Sequence, residues 1–350
     1  MPKLRIKDIA KLANVSTGTV DRVIHNRGEV SEATRKRVSR ILAENDFRPD
    51  PLASSLARKR RLRLGVLMPG TVNDHVFWDL PMAGIRRAMK ELHSEDLETE
   101  IYSFDQCDKS DFEAMVNKIP LGELDGLLFA PVFHDESLAF IRQCNEYGLP
   151  VVLFNSMLDG ARIHCFVGQD AMRSGYVAAK LLHYGLDHRR DLLIVNMSAR
   201  KDHYAHLIAR EQGFRRFFED HSGRLDHLLT LDLNGEGDDV LSTRLDAILA
   251  QYNVGGIFVS NSRVYKLAAY LARRGQMGVR LVGYDLLPKS IDFLKRDYID
   301  FLISQRPEEQ AFLGLESLFR FAAYGRESKE RLMMPIDIIA RENLEYYQQL

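Results

Sequence analysis

From Leu62 onward, short apolar runs alternate with stretches of helical spacing, and this alternation constrains the fold more than any other feature of the chain. LRLGVLM, ETEIYSF, GLLFA and PVVLFN are each short enough for a buried strand, and the segments near 80–93, 110–119 and 136–147 read as helices. Strands covered on both faces read as continuous apolar runs, and strands joined through helices lie parallel in a doubly wound sheet. HCFVGQD at 164–170 leads into a second series, DLLIVN, LLTLDL, GIFVS and RLVGYD, with DFLISQRP and MPIDIIA late in the chain. Two series predict two α/β lobes, with a ligand cleft at the C-terminal ends of their strands.

Residues 1–61 follow another rule. Ile6, Ile9, Ala10 and Ala13 fall on one helical face at i, i+3, i+4 and i+7. Asn14-Val15 makes a turn, and Ser16 is placed to cap a second helix over about Thr17–His25 that buries Val20, Val23 and Ile24. Ser31 caps a third, with Val38, Ile41 and Leu42 inward and Phe47 closing the core. Charge separates the two parts as well. Residues 1–63 hold 16 Lys+Arg and 7 Asp+Glu, a balance of +9, whereas the whole chain holds 48 and 49, so the remainder carries 32 and 42, a balance of −10. A cationic head on an acidic body suits a polyanionic partner.

The second helix leaves Thr17, Gly18, Asp21, Arg22 and His25 outside. An α-helix fits the major groove of DNA, where residues near its N-terminal end meet base edges. Ser16, Asn26, Ser31 and Thr34 flank it and are suited to phosphates, which fix register without reading sequence. The run IKDIAKLANVSTGTVDRVIHNRGEVSEATRKRV resembles the head of the lac-repressor-type (LacI/GalR) transcription regulators. That resemblance implies a helix-turn-helix domain over 1–48 whose base readers are Thr17 and Gly18, with Arg22 in support and Thr19 on the same helix; Asp21 stands where the family usually has serine. It also gives a role to residues 49–61. Asp50-Pro51 is a helix start, and the short LASSLARK stretch after it is too brief to be stable alone. In the family this hinge helix wedges a leucine into the minor groove at the centre of the operator, the position held here by Leu56, with Ala53 one turn before it.

In the body no G-x-S-x-G, P-loop or G-x-G-x-x-G pattern marks an enzyme, and Asp202, His203 and His206 match no standard metal spacing. Polar and aromatic residues stand just past strand ends instead: Phe77 and Trp78 after the first, then Asn155, Arg210 in R-x-x-G-F, Asn261, Asp285 and Gln305. Such a set suits a polyol, since rings stack on C–H faces while amides, a carboxylate and a guanidinium pair with hydroxyls. With Arg210 its only cation, the set favours a neutral or mildly acidic sugar over a phosphorylated one. V-G-Y-D, I-S-Q-R-P-E-E-Q and R-E-Q-G-F make the body over 62–350 resemble the ribose-binding-protein-type fold of the same regulators and of periplasmic sugar receptors. In that fold these residues line the sugar pocket and the chain crosses between lobes three times. The crossings are expected near 163–168, 285–290 and 320–335, giving one lobe of 62–163 and 286–325 and another of 164–285 and 326–350. Asn155 replaces an aspartate found in many sugar receptors.

The expected molecule is therefore a non-enzymatic regulator, a repressor by resemblance, that binds double-stranded operator DNA as a homodimer and answers to a small sugar-like effector. It needs no cofactor and no metal. An N-terminus without a secretory signal and the lack of a long apolar run predict a cytoplasmic protein with no membrane association. Cys107, Cys144 and Cys165 are expected as reduced core thiols, and no C-terminal heptads predict a coiled-coil tetramer.

Overall fold

The computed structural model describes residues 6–24, 30–44, 61–71, 76–92, 97–187, 189–198, 205–221 and 227–348. The chain divides into two compact units, 1–61 together with 320–326, and 62–319 together with 327–350. Among the described residues of 1–61 stand the helices α1 (Ile6–Ala13), α2 (Thr17–Ile24) and α3 (Glu32–Glu44). Their core is Ile9, Ala10, Ala13, Val20, Val23, Val38 and Ile41, with Val15, Val30 and Leu42 packed against it. Two alanines in so small a core let the helices cross closely.

The turn between α1 and α2 is fixed by its own chemistry. Asn14 takes φ +50°, the left-handed region that asparagine tolerates. Its N–H donates to the Lys11 carbonyl at 3.1 Å and the Val15 N–H to the Ala10 carbonyl at 3.0 Å. Together these form a Schellman stop for α1. Ser16 Oγ then accepts from the Thr19 N–H at 3.1 Å and starts α2, as its sequence position predicts. Phe47 and the hinge, including Asp50, Ala53 and Leu56, lie outside the described residues, as do His25 and Asn26.

The larger unit holds two six-stranded sheets. β1 (Leu62–Pro69), β2 (Leu97–Phe104), β3 (Gly126–Phe129), β4 (Val151–Phe154), β5 (Cys165–Gln169) and β11 (Arg331–Met334) form the first, in the order β11-β5-β4-β3-β1-β2 and all parallel. The second repeats that topology with β6 (Asp191–Met197), β7 (Leu228–Leu233), β8 (Val254–Val259), β9 (Arg280–Tyr284) and β10 (Phe301–Ser304). Its outer strand, β12 (Asp337–Ile339), runs antiparallel to β10. In both sheets the order reverses beside the first strand, the place where such sheets open a crevice.

Three crossings join the sheets; the first two are displaced from their expected positions, and the third falls at the very end of its expected range. β5 pairs with β4 (Val152↔Cys165 to Phe154↔Val167), so residues 165–169 belong to the first lobe. β10 pairs with β9 (Phe301↔Val282), which keeps residues 286–304 in the second. β11 stays with the first lobe through Arg331↔Phe166, and only β12 returns to the second. The crossings thus fall at about 169–171, 304–307 and 334–337. Strand pairing is decided by partners distant in sequence, which local patterning does not encode. Gln169 joins all three: its Nε2 donates to the Ser304 carbonyl at 3.0 Å and to the Pro335 carbonyl at 2.7 Å.

One helix pair places His206 and Arg210 at the cleft. Beyond α4 (Asp79–Glu91), α5 (Lys109–Val116) and α6 (His134–Glu146) of the first lobe, α7 (Ala171–Tyr184) and α8 (Ala205–His221) approach at two glycines. A Cβ on Gly175 would come within 1.9 Å of the Arg210 carbonyl oxygen, and one on Gly213 within 1.8 Å of the Met172 carbonyl oxygen. Only glycine permits so close an approach of backbone to backbone. Gly213→Ala is expected to cost about 2 kcal/mol, the scale of overpacking in a tight core. Gly185→Ala, whose Cβ would meet its nearest atom at 3.6 Å, is expected to be near neutral. Urea denaturation should show the midpoint falling for the first variant alone, with an unchanged slope.

Candidate functional site

The seven body residues singled out from the sequence line one cleft between the two lobes. Phe77 and Trp78 come from a 3₁₀ turn, Val76–Trp78, beyond β1. Their rings meet edge to face at 5.1 Å, and Trp78 Nε1 donates to Gln106 Oε1 at 2.9 Å. A ring held at both its face and its N–H is a rigid platform for a flat C–H surface. Asn155 ends β4 with φ +67°; its backbone N–H donates to Gln310 Oε1 at 3.0 Å. Gln310, from α12 (Pro307–Tyr324), in turn donates to the Gln305 carbonyl at 2.7 Å.

Arg210, Gln305 and Asp285 form a buried polar chain. Arg210 is 2 % exposed and lies over the Tyr284 ring at 3.7 Å. Its Nη1 donates to the Ser260 carbonyl at 2.7 Å and its Nη2 to Gln305 Oε1. Gln305 Nε2 then donates to Asp285 Oδ2 at 2.8 Å, and the Gln305 N–H to Oδ1 at 3.3 Å. Asp285 is fully buried with φ +65°. Burial pushes its carboxyl up to about 6, against the lowering pull of Arg210 and the Gln305 hydrogen bonds. Asn261 is differently employed: its Nδ2 donates to the Met197 carbonyl and its Oδ1 accepts from the Arg263 N–H at 3.1 Å, which pins the loop after β8.

Other lining residues escaped the sequence reading. Gln106 and Cys107 follow β2, Pro131 and Val132 follow β3, and Ser156 stands beside Asn155. Cys107 is exposed rather than a core thiol, whereas Cys144 and Cys165 are buried as expected. Cys107 could have been placed by the strand-end rule that found Asn155. His206, on α8, contributes differently. Its Nδ1 shares a 2.8 Å hydrogen bond with Ser156 Oγ across the cleft, a direct polar link between lobes. Burial, with Arg210's charge adding to it, holds this imidazole well below the usual histidine range. Arg263 also lines the cleft, so Arg210 is not its only cation. Among the described residues no cluster of histidine, cysteine and carboxylate side chains forms a metal site.

In the head, Ser16, Thr17, Gly18, Arg22 and Ser31 are exposed, and Thr19 and Thr34 half-buried. Ser31 Oγ donates to Thr34 Oγ1 at 2.8 Å, which leaves the threonine's own hydroxyl proton for an outside acceptor. The Ser16 and Thr19 hydroxyls also pair, at 2.9 Å, with either able to donate.

Comparison with known proteins accords with this geometry. Residues 5–50 match the model for bacterial regulatory proteins of the lacI family, and residues 64–327 match the periplasmic binding protein domain. The chain is 26% identical over 297 residues to the sucrose operon repressor of Pediococcus pentosaceus, covering 81% of this chain and 82% of that protein. It is 25% identical over 292 residues to the ribose operon repressor of Bacillus subtilis (strain 168), covering 81% and 82%. The match to the sucrose operon repressor of Staphylococcus xylosus, 29% identical, spans about half of each chain (51% and 52%). Among solved structures, a putative LacI transcriptional regulator from Bacteroides fragilis superposes with a TM-score of 0.76 at 28% identity, covering 82% of this chain and all of that one. A Bacillus halodurans C-125 transporter solute binding protein with bound myo-inositol shares the fold, with a TM-score of 0.70 at 20% identity, over 84% of this chain and 99% of that one. A helix-turn-helix head and a two-lobed binding body thus stand in one polypeptide, and the chain belongs to the lacI family of bacterial regulatory proteins, the DNA-binding transcriptional regulators.

Proposed function

We propose that this regulator represses transcription as a cytoplasmic homodimer, and that a carbohydrate or related polyol held between the lobes of its body controls its grip on DNA without being consumed. The observation that carries the reading is the convergence of Phe77, Trp78, Asn155, Arg210, Asn261, Asp285 and Gln305 on one cleft. An aromatic platform on one lobe faces hydroxyl-pairing groups on the other, so a polyol bound there touches both. Relatives named for sucrose and ribose operons support the ligand class. With both Arg210 and Arg263 on the cleft, an acidic sugar is accommodated as readily as a neutral one. No helix among the described residues is long and apolar enough to cross a membrane.

Thr17, Gly18, Thr19 and Arg22 read bases from α2, while Ser16, Asn26, Ser31 and Thr34 hold phosphates and Ala53 and Leu56 enter the minor groove. A ligand can shift the lobes only through a difference in its affinity for their open and closed arrangements. The Ser156–His206 bond joins the two lobes, so an arrangement that parts them must break it. The chain's single tryptophan, Trp78, provides the test. Titration with D-ribose, D-galactose, sucrose, myo-inositol and D-gluconate should change its emission for one chemical class, with that compound recovered intact. Operator DNA must then alter the compound's affinity by the same factor by which the compound alters operator affinity. Conversion of the compound to product, or a protein with no salt-sensitive sequence preference in any duplex, would overturn the reading.

A further inference from the structure

Arg210 is the most demanding side chain of the cleft, because a buried guanidinium on a flexible stem serves recognition only if its direction is fixed. One residue that does not line the cleft bears on both of its ends. Asn196, in β6, is 1 % exposed. Its Oδ1 accepts from Ser260 Oγ at 2.7 Å, and Ser260 supplies the carbonyl that receives Arg210 Nη1. Its Nδ2 donates to Glu211 Oε2 at 2.9 Å and to Asp232 Oδ1 at 2.7 Å. Glu211 is the neighbour of Arg210 on α8, held on its other oxygen by Arg215 Nε at 2.9 Å. The backbone of Arg210 and the acceptor of its guanidinium are therefore both located by a single amide.

We propose that Asn196 is a positioning residue for Arg210, and that it sets ligand affinity through the contacts Asn196–Ser260 and Asn196–Glu211. The ligand part of this inference rests on the carbohydrate reading above. The amide has only one workable orientation. Turned over, it would present its oxygen to two carboxylates and its N–H groups to a serine that already has a proton to give. Aspartate has the same shape but lacks the donors, so Asn196→Asp sets a third carboxylate against Glu211 and Asp232 while still accepting from Ser260. Combining it with Glu211→Gln returns a donor to the broken contact and removes one of the facing charges.

The experiment uses the full chain, the sugar panel above read by Trp78 emission, and arginine-labelled protein for nitrogen NMR. The Arg210 Nη signals are assigned by their loss in Arg210→Lys. Asn196→Asp is expected to weaken the binding sugar by about 10-fold or more, the worth of one charge-assisted hydrogen bond. The slowly exchanging Arg210 Nη protons should become averaged, and adding Glu211→Gln should restore both signals and affinity. Unchanged affinity and Nη signals in Asn196→Asp would overturn the proposal, as would a loss that Glu211→Gln deepens instead of repairing. If no sugar binds the unaltered chain, the carbohydrate reading fails, and the Arg210 signals alone still decide whether Asn196 positions it.

Discussion

Asp285→Asn is expected to weaken ligand binding in the cleft by about 100-fold, the scale of lost hydrogen bonds to a buried charge, and to leave ligand-free DNA affinity unchanged. Asparagine is the informative substitution because Asp285 has φ +65°, a conformation asparagine adopts readily and alanine does not. The backbone is thus unstrained, and the change falls on polarity. In the present chain, proton donation runs one way: Arg210 to Gln305 Oε1, then Gln305 Nε2 to Asp285 Oδ2. The carboxylate accepts from both the side chain and the backbone N–H of Gln305. An amide at 285 opposes one of those donors with N–H groups. Gln305 can relieve that clash only by turning over, which points its own N–H groups at Arg210. If it turns, the guanidinium loses an acceptor; if it does not, an N–H clash stays buried beside the asparagine at 285, and in both cases Arg210 loses the facing charge of Asp285. Calorimetry of the binding sugar with both chains measures the loss; a change under threefold would remove Asp285 from ligand recognition.

The same substitution has a stability consequence of the opposite sign. The Asp285 carboxyl is at about 6 in the folded chain against an ordinary 3.8, so the folded state holds the proton more tightly than the unfolded one. Stability from this group is therefore greatest below pH 4 and is lost as pH rises through 6, a difference of about 3 kcal/mol. At pH 7 the ionised carboxylate is a cost borne for function. Asp285→Asn lacks that proton equilibrium. The unfolding free energy of the unaltered chain minus that of the variant should rise by roughly 2.5 kcal/mol as pH falls from 7 to 4. Ligand hydroxyls that donate to the carboxylate also require it ionised, so sugar affinity should decline below pH 6 in the unaltered chain. A flat difference in urea stability over this range would contradict the raised carboxyl.

Strand ends were legible in the sequence because apolar runs stop where the sheet stops, and the residue after each run must emerge at the same edge. That geometric rule placed Asn155, Asp285 and Gln305 together although they are far apart in the chain. Applied to ETEIYSF and GLLFA it would also have found Gln106 and Pro131. His206 was harder, since it belongs to the first turn of α8, and only the close approach of that helix at Gly175 and Gly213 brings it to Ser156. Lobe membership of β5, β10 and β11 was not legible at all. An interior strand such as β5 or β10, or an edge strand such as β11, looks alike in either sheet, and its choice rests on partners such as Val152 for Cys165, Val282 for Phe301 and Phe166 for Arg331. The head was read well from sequence because its elements are local: a cap, a left-handed asparagine and a three-four apolar spacing lie within one short stretch.

Gly18→Glu is expected to reduce specific operator binding to the level of unrelated duplex, and Gly18→Ala to weaken it by about 10-fold, the loss expected for one base contact. The argument turns on what glycine does not do at this position. At Gly175 and Gly213 the fold itself forbids a side chain. At Gly18 an added Cβ would meet only Ser16 Oγ, at 3.8 Å, which is ordinary contact, and the residue is exposed on the first turn of α2. Glycine in a helix costs up to about 1 kcal/mol against alanine, so Gly18→Ala should make the head more stable, not less. Stability gained and affinity lost by one methyl group have a common cause if that surface is kept bare for the floor of a groove. Arg22, one turn on, is exposed on the same helix and would supply the reaching side chain under the proposed docking. Anisotropy titrations on a selected operator should show the loss for Gly18→Ala with the salt dependence retained, because the hydroxyls and cations facing phosphates are untouched. Gly18→Glu should lose specific binding and, by placing a carboxylate against the duplex, some non-specific affinity too. Were Gly18→Ala to stabilise the head and keep full discrimination at every base pair, α2 would meet DNA by some other face, and Thr17 and Arg22 would forfeit their roles with it.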